Sequence, residues 1–282
     1  MRLRSRRAPL PSSRRISVAL TASALATAGL TCSSSTAAEP GTGATPSILF
    51  IGNSLTYVND LPAMVRSVAA ADGRTMTVGM VAKPNLAVVD HTTGSSTALD
   101  EISRGSWDLV VLQQGPTPAG MCRDTLIIAA MRLGPLIRGA GGRAALWVPW
   151  PRRPPVTGLD PALESATLAA RAVGGAVVPI GLAWRNALAA DASLPLYDSD
   201  GYHPLPVGSL LGALTVYERL FGRDVRAIRP DAIRAIVPNG LGLAQVDILT
   251  AAAHDASASL PPDPPVAVPA DTTHVSTSGG PC

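Results

Sequence analysis

The sequence is poor in the residues that bind metals and in lysine. Its 282 residues include three cysteines, four histidines and a single lysine against 22 arginines. The cysteines and histidines do not have the spacing of a metal-binding motif, and no segment indicates an organic cofactor. We therefore expect a protein that works without metal or cofactor.

The N-terminal segment has the pattern of an export signal. Six arginines and no acidic residue lie in 1–15, an apolar run follows over 16–30, and small residues come next. The pattern predicts cleavage near Ala38, so that 1–38 is the signal and the protein is secreted, periplasmic or attached to the cell envelope. Arg14 and Arg15 leave twin-arginine export open, and Cys32 leaves lipidation open; ordinary secretion is the favoured interpretation.

Removal of the signal would change the charge balance. Of 23 basic residues, six lie in 1–15, which leaves 17 basic against 20 acidic residues. No basic stripe interleaved with aromatic residues survives, so we expect no nucleic-acid partner. The apolar run is too short to span a bilayer comfortably, and we expect no stable membrane insertion.

The remaining chain is predicted to form one domain. A short linker over 39–46 precedes a domain over 47–260, and a flexible tail rich in Pro, Ser, Thr and Gly follows over 261–282. Cys122 and Cys282 either pair in an oxidising compartment or stay as free thiols, because one pair of cysteines has no diagnostic spacing.

Apolar runs of strand length alternate with amphipathic stretches. Strands are predicted over 47–51, 75–82, 107–112, 144–148 and 176–180, and helices over 61–71, 97–104, 124–138, 162–173 and 207–220, the last of them terminal. Continuous apolar strands separated by helices favour a parallel sheet covered on both faces. The predicted class is α/β, a three-layer flavodoxin-like fold with a central parallel sheet of about five strands, whose ligands bind at the carboxyl ends of the strands.

A serine follows the first predicted strand. The run Gly52-Asn53-Ser54-Leu55-Thr56 places Ser54 at the carboxyl edge of the sheet, beside the start of a helix whose backbone N–H groups can face an oxyanion. Taken alone, this pattern is more typical of a helix cap.

The support for a nucleophile comes from Asp200-Gly-Tyr-His203. An aspartate three residues before a histidine can fold back so that its carboxylate meets Nδ1, which leaves Nε2 free to point at a serine. The alternative is that Asp200 caps a turn and His203 lies on the surface. Asp198 is a second nearby carboxylate, which we rank below Asp200.

These motifs resemble those of the SGNH/GDSL hydrolases. The run 52–56 is similar to their first block, with Asn53 in place of the usual aspartate, and 200–204 is similar to their closing Asp-x-x-His block; the resemblance covers about 47–222. It implies the SGNH hydrolase fold, with Ser54 as nucleophile, His203 as base and Asp200 as the orienting acid.

The middle blocks of that family match less well. The family supplies oxyanion donors from a glycine N–H and a Gly-x-Asn asparagine, but here the third strand ends in Gln113-Gln114-Gly115 without an asparagine after the glycine. Some sugar-deacetylating relatives have Gln-Gly-Glu-Ser at this place, so we expect Gln114, or else Gln113, to be the side-chain donor beside Gly115. Asn85, after the second strand, is the candidate to line the pocket.

Three further side chains have two interpretations each. Trp150 is a candidate wall for the acyl or sugar pocket, whereas Trp147, inside a strand, fits core packing at least as well. His91 is either a pocket residue or a surface histidine, and the surface is favoured.

The resemblance implies a secreted serine esterase. It would hydrolyse carboxylic esters, such as short acyl groups on carbohydrate, through an acyl-Ser54 intermediate, so its partner is a small-molecule or polysaccharide ester. The alternatives are a lipase-like substrate, an acyltransferase that uses the same serine, an exported binding protein with a degenerate site, or an envelope protein tethered through Cys32.

Overall fold

The computed structural model of the chain describes residues 45–115, 120–153, 158–237 and 241–262, which lie in one compact unit. The predicted signal over 1–38, most of the predicted tail, Cys32 and Cys282 lie outside these residues. Cys122 is buried and disulfide-bonded. No helix within the described ranges is long and apolar enough to cross a membrane.

Five parallel strands form the central sheet. They are β1 (Ser47–Gly52), β2 (Thr77–Ala82), β3 (Leu109–Leu112), β4 (Arg143–Trp147) and β5 (Ala176–Val178), in the order β2-β1-β3-β4-β5. All residues of β1 and β3 are buried, as expected of inner strands covered on both faces, whereas the edge strand β2 is partly exposed. The predicted three-layer α/β fold is therefore confirmed.

Nine α-helices lie in the described part of the chain. They are α1 (Ser54–Tyr57), α2 (Leu61–Ala71), α3 (Ala98–Arg104), α4 (Met121–Gly139), α5 (Leu159–Val173), α6 (Ile180–Ala190), α7 (Pro206–Phe221), α8 (Pro230–Arg234) and α9 (Leu243–Ala258). Two groups of helices pack together: α3 and α5 against α4, and α2, α6 and α9 with α7. The predicted helix over 207–220 is present as α7, but the expectation that it is the terminal helix was wrong, because α8 and α9 follow it.

The order in which successive strands are added to the sheet reverses beside β1. From β1 the chain passes to β2 on one side and then crosses to β3 on the other, so the crevice between the carboxyl ends of β1 and β3 is the switch point where such folds bind ligands. Ser54 follows β1 and Gln113 follows β3. The candidate site residues therefore surround this crevice.

The core beneath the crevice is formed by large apolar side chains. Ile48, Phe50, Ile51 and Leu112 are fully buried. Each buried side chain of this kind contributes about 1.5–3 kcal/mol relative to an exposed one. The edge that carries the site is thus anchored in the best-buried part of the sheet.

Candidate active site

Ser54 is the first residue of α1, directly after the turn that ends β1. Asn53, not Ser54, caps this helix: its Oδ1 accepts a hydrogen bond of 3.2 Å from the Leu55 N–H. The Ser54 side chain is therefore not needed for capping, and its N–H lies in the first turn, where backbone donors lack helical acceptors. Glycine at position 52 lets the Gln113 side chain approach this turn, since a Cβ there would lie 2.5 Å from Gln113 Oε1.

Ser54, His203 and Asp200 form one hydrogen-bonded chain. Ser54 Oγ lies 2.9 Å from His203 Nε2, and His203 Nδ1 lies 2.6 Å from Asp200 Oδ2. Asp200 Oδ1 accepts the backbone N–H groups of Tyr202 and His203 at 2.8 and 2.9 Å. Although desolvation raises its pKa, the hydrogen bonds from the His203 ring and from these two N–H groups lower the pKa of Asp200 to about 2. At neutral pH the carboxylate is therefore ionised and fixed against Nδ1.

The loop that carries Asp200 and His203 is closed on itself. Tyr197 and Pro204 form an antiparallel bridge, and the Asp198 N–H donates to the His203 carbonyl at 2.8 Å. The carboxylate of Asp198 accepts the Ser199 N–H at 2.6 Å, so it completes a turn and is not directed at the imidazole. Of the two carboxylates, only that of Asp200 is hydrogen-bonded to the His203 imidazole in the described structure.

Gln113 joins β3 to the turn that carries Ser54. Its Oε1 accepts the Asn53 N–H and the Thr56 hydroxyl, both at 2.9 Å, and its Nε2 donates to the Gln114 carbonyl. Every polar atom of this buried amide has a protein partner. Gln113 thus supports the turn from below, and its Nε2 is already held by the Gln114 carbonyl.

Gln114 differs from Gln113 in that its Nε2 has no protein acceptor within the described ranges. Its Oε1 accepts the Val88 N–H at 3.0 Å, while its Nε2 is buried and has no hydrogen-bond partner among the described residues. A buried donor without an acceptor costs about 1–3 kcal/mol, so such a group requires an explanation. Gly115 is also buried beside it, at the end of the described segment.

Asn85 lies in the loop after β2, which contacts the Ser54 turn. The side-chain amide of Asn53 donates to the carbonyl of Leu86 at 3.0 Å, one residue from Asn85. Asn85 itself is exposed and has a left-handed φ of 61°. The structure therefore places Asn85 at the same edge of the sheet as Ser54.

Trp150 does not form a pocket wall. It is 1% exposed, its ring stacks on that of Trp184 with centroids 4.2 Å apart, and its Nε1 donates to the Tyr202 carbonyl at 3.0 Å. The prediction of a wall was wrong because the indole turns into the core, where it supports the His203 loop. Trp147 is also buried, as the core interpretation expected.

His91 is buried, so the favoured surface interpretation was wrong. Its Nε2 donates to the Gly52 carbonyl at 3.0 Å, and its Nδ1 lies 2.7 Å from Ser96 Oγ. Burial lowers the pKa of His91 despite opposing contributions from Gly52 and Asp90. A neutral His91 thus lies behind the turn that carries Ser54.

Asn59 is a supporting residue that the sequence analysis did not identify. Its Nδ2 donates to the Pro204 carbonyl at 2.8 Å and to Ser209 Oγ at 3.1 Å, which joins the Ser54 segment to the His203 loop. Asn59 and Asp60 both have positive φ angles, 61° and 50°. Asparagine and aspartate tolerate this conformation best among non-glycine residues, so the Asn-Asp pair was the available signal.

Among the described residues, one cluster has the side chains to hold a metal. Glu218, Asp224 and His254 offer ligand atoms within 4.8 Å of one another. However, His254 Nδ1 lies 2.5 Å from Glu218, and Arg226 holds both carboxylate oxygens of Asp224 at 2.8 and 2.9 Å. This network joins α7 to α9 and is not at the carboxyl edge of the sheet.

Comparison with known proteins supports the fold. No family model and no curated protein matches the sequence. A solved DUF4886 family protein from Bacteroides uniformis superposes with a TM-score of 0.65 and 20% identity over 77% of this chain and 96% of its own. A proposed SGNH hydrolase from Slackia heliotrinireducens superposes with a TM-score of 0.55 and 24% identity over 63% of this chain and 100% of its own. LAE5, an α/β hydrolase from the Lake Arreo metagenome, gives 0.51 with 13% identity over 63% and 95%. The chain therefore has the SGNH hydrolase fold, and the resemblance noted in the sequence is confirmed at that level.

Proposed function

We propose that this protein is a serine esterase that hydrolyses carboxylic esters through an acyl-Ser54 intermediate. The observation that carries the proposal is the continuous chain from Ser54 Oγ through the His203 imidazole to the Asp200 carboxylate, with distances of 2.9 and 2.6 Å. This is the arrangement in which a histidine takes the proton of a serine that attacks a carbonyl.

In the proposed reaction, the position of each group supports a distinct role. His203 Nε2 accepts the Ser54 hydroxyl proton as Oγ attacks the ester carbon, and Asp200 stabilises the resulting imidazolium. Collapse of the tetrahedral intermediate then breaks the bond to the alcohol, which takes the proton from His203. Water activated by His203 releases the acid and restores Ser54.

The negative oxygen of the tetrahedral intermediate requires hydrogen-bond donors. We assign this role to the Ser54 N–H in the first turn of α1 and to Gln114 Nε2, whose lack of a protein acceptor supports the assignment. Loss of one such donor typically costs about 2.7–4 kcal/mol of barrier, equivalent to a ~10²–10³-fold fall in kcat. We expect Gln114→Leu to lose this amount.

Short acyl groups on carbohydrate are the substrates we favour. The His203 side chain is 30% exposed, and Ser54 is half-buried at the edge of the sheet. A nucleophile this close to the surface can reach an acyl group that projects from a large alcohol. The preference extends the esterase proposal by analogy with the fold.

The test is the hydrolysis of 4-nitrophenyl acetate by the wild-type protein and by Ser54→Ala and His203→Ala. Ser103→Ala, on the exposed face of α3, is the matched serine control. We expect the first two variants to fall to background and the control to retain activity, and a fluorophosphonate should add one adduct at Ser54. A folded wild-type protein that neither hydrolyses the ester nor reacts with the probe would favour a binding protein.

Export is proposed on the sequence pattern of 1–38. N-terminal sequencing of the protein recovered outside the cytoplasm of a bacterial host would test it. A start near Ala38 supports cleavage of a signal, whereas an intact N-terminus in the cytoplasm contradicts it.

A further inference from the structure

A groove with three arginines lies beside the loop that carries the catalytic histidine. Its volume is about 360 Å³, which falls within the range of small-molecule sites. We call it the arginine groove and define it by Arg152, Arg153, Arg185, Trp184, Leu188 and Tyr197. It combines a floor of Leu188 and Tyr197, above the buried Trp184, with a basic rim.

The floor of the groove is fixed to the catalytic loop. Tyr197 packs edge-on against Trp184 at 4.6 Å and donates its hydroxyl to the Pro151 carbonyl at 2.6 Å. The Arg153 N–H donates to the Gly201 carbonyl at 2.7 Å, next to Asp200. A ligand in the groove would therefore lie at a fixed position relative to the catalytic residues.

Arg152 connects the rim to the reacting groups. Its guanidinium carbon lies 5.4 Å above the Tyr202 ring, whose centroid is 4.7 Å from that of the His203 imidazole. Arg153 is held similarly, 4.5 Å above the Tyr197 ring. Stacking on an aromatic ring restricts a guanidinium without neutralising its charge.

Within the described structure, the three arginines of the rim lack the ion pairs that other arginines of the chain form. Across the described ranges, no carboxylate forms an ion pair with Arg152, Arg153 or Arg185, whereas Arg104, Arg226 and Arg234 each have an acidic partner. The chain after 1–38 contains more acidic than basic residues, 20 against 17. The three rim arginines therefore contrast with the net negative charge of that part of the chain.

We propose that the arginine groove binds an anionic substituent, a carboxylate or a phosphate, on the same molecule that presents the ester to Ser54. This rests on the proposed esterase function and deepens it by naming the substrate class as acylated anionic carbohydrate. Guanidinium groups bind both anions through paired hydrogen bonds.

The kinetic test compares two forms of one substrate. Acetate release is measured from acetylated trigalacturonate and from its carboxyl-methylated form, and the quantity compared is the ratio of the two kcat/KM values. We expect the wild-type protein to prefer the anionic form about tenfold or more, and Arg152→Gln/Arg185→Gln to bring the ratio near one. Arg66→Gln, an exposed arginine on α2 outside the groove, removes the same kind of charge and should retain the preference.

A binding test separates failure of the groove from failure of the esterase proposal. Trigalacturonate and glucose 6-phosphate are titrated separately into the full chain carrying Ser54→Ala, with and without the two arginine substitutions. Binding that weakens about tenfold in the arginine variant and in 0.5 M salt supports the groove even if no ester is hydrolysed, and the tighter probe identifies the anion. Equal affinity with and without the arginines, or hydrolysis of both substrate forms at one rate by the wild-type protein, would overturn the proposal.

Discussion

Gln113 provides the sharpest test of how the protein positions Ser54. In Gln113→Leu, a side chain of similar size replaces an amide that accepts from the Asn53 N–H and the Thr56 hydroxyl and donates to the Gln114 carbonyl. The Asn53 N–H cannot rotate away and loses its acceptor in a buried environment, at a cost of about 1–3 kcal/mol. The Thr56 hydroxyl can rotate, so its loss lies at the lower end of that range.

The combined loss is expected to be about 2–4 kcal/mol in the free energy of unfolding. Domains of this size are commonly stable by 5–15 kcal/mol, so the variant should remain folded at 25 °C. A displacement of the nucleophile by about 1 Å can lower the rate ~10²-fold. We therefore expect kcat to fall about 10–100-fold with a smaller change in KM, because the turn before Ser54 relaxes.

Urea unfolding, kcat and the rate of fluorophosphonate labelling together measure these effects. Thr56→Val removes one of the two donors to Gln113 and should cost only about 1 kcal/mol, with a correspondingly small change in labelling. If Gln113→Leu lowers stability but Ser54 is labelled at the wild-type rate, the amide has only a structural role. Unchanged stability would refute the hydrogen-bond argument itself.

Three further predictions concern the groups around the triad. Asp200→Asn should lower kcat ~10²–10⁴-fold with the fold intact. The pKa of Asp200 is lowered from 3.8 to about 2, so the stability that its charge contributes is present above pH 4 and is lost as pH falls from about 4 to about 2. Acid titration followed by circular dichroism checks this loss. The pKa of His91 is lowered by burial, so the unfolded chain binds more protons below pH 6.5 and the wild-type protein loses stability there. His91→Gln can still donate to the Gly52 carbonyl, and it should make the urea midpoint depend less on pH between pH 7 and 5. An unchanged pH dependence would contradict this. Asn59→Gly retains the left-handed backbone but loses the amide hydrogen bonds to Pro204 of the His203 loop and to Ser209 of α7, so kcat should fall more than stability; an equal effect on both would argue against positioning.

The sheet could be predicted because its inner strands are uniformly apolar. β1 and β3 are buried on both faces, so continuous runs such as 47–51 identified them directly. α6 was missed because it begins at Ile180, two residues after β5, and its first five residues are all buried. Such a run has no helical periodicity and resembles an extension of the strand.

The supporting residues could not be predicted because the sequence does not show which way a side chain points. Trp150 and His91 both follow strand ends, where pocket or surface positions are expected. Yet both side chains are buried, and each donates to a backbone carbonyl. The carbonyl acceptors belong to residues 39 and 52 positions away in the sequence. Only the folded topology brings these donors and acceptors together.

The departure from the usual aspartate in the first motif has a physical explanation in this network. Asn53 accepts the Leu55 N–H through Oδ1 and donates through Nδ2 to the Leu86 carbonyl at 3.0 Å. An ionised aspartate could accept but not donate, so the second contact would become a repulsion between oxygens. The carboxylate would also place a negative charge beside the oxygen that becomes negative in the proposed reaction. Neutral groups, Asn53 with Gln113 and His91, hold the turn while leaving Asp200 as the ionised carboxylate that faces His203.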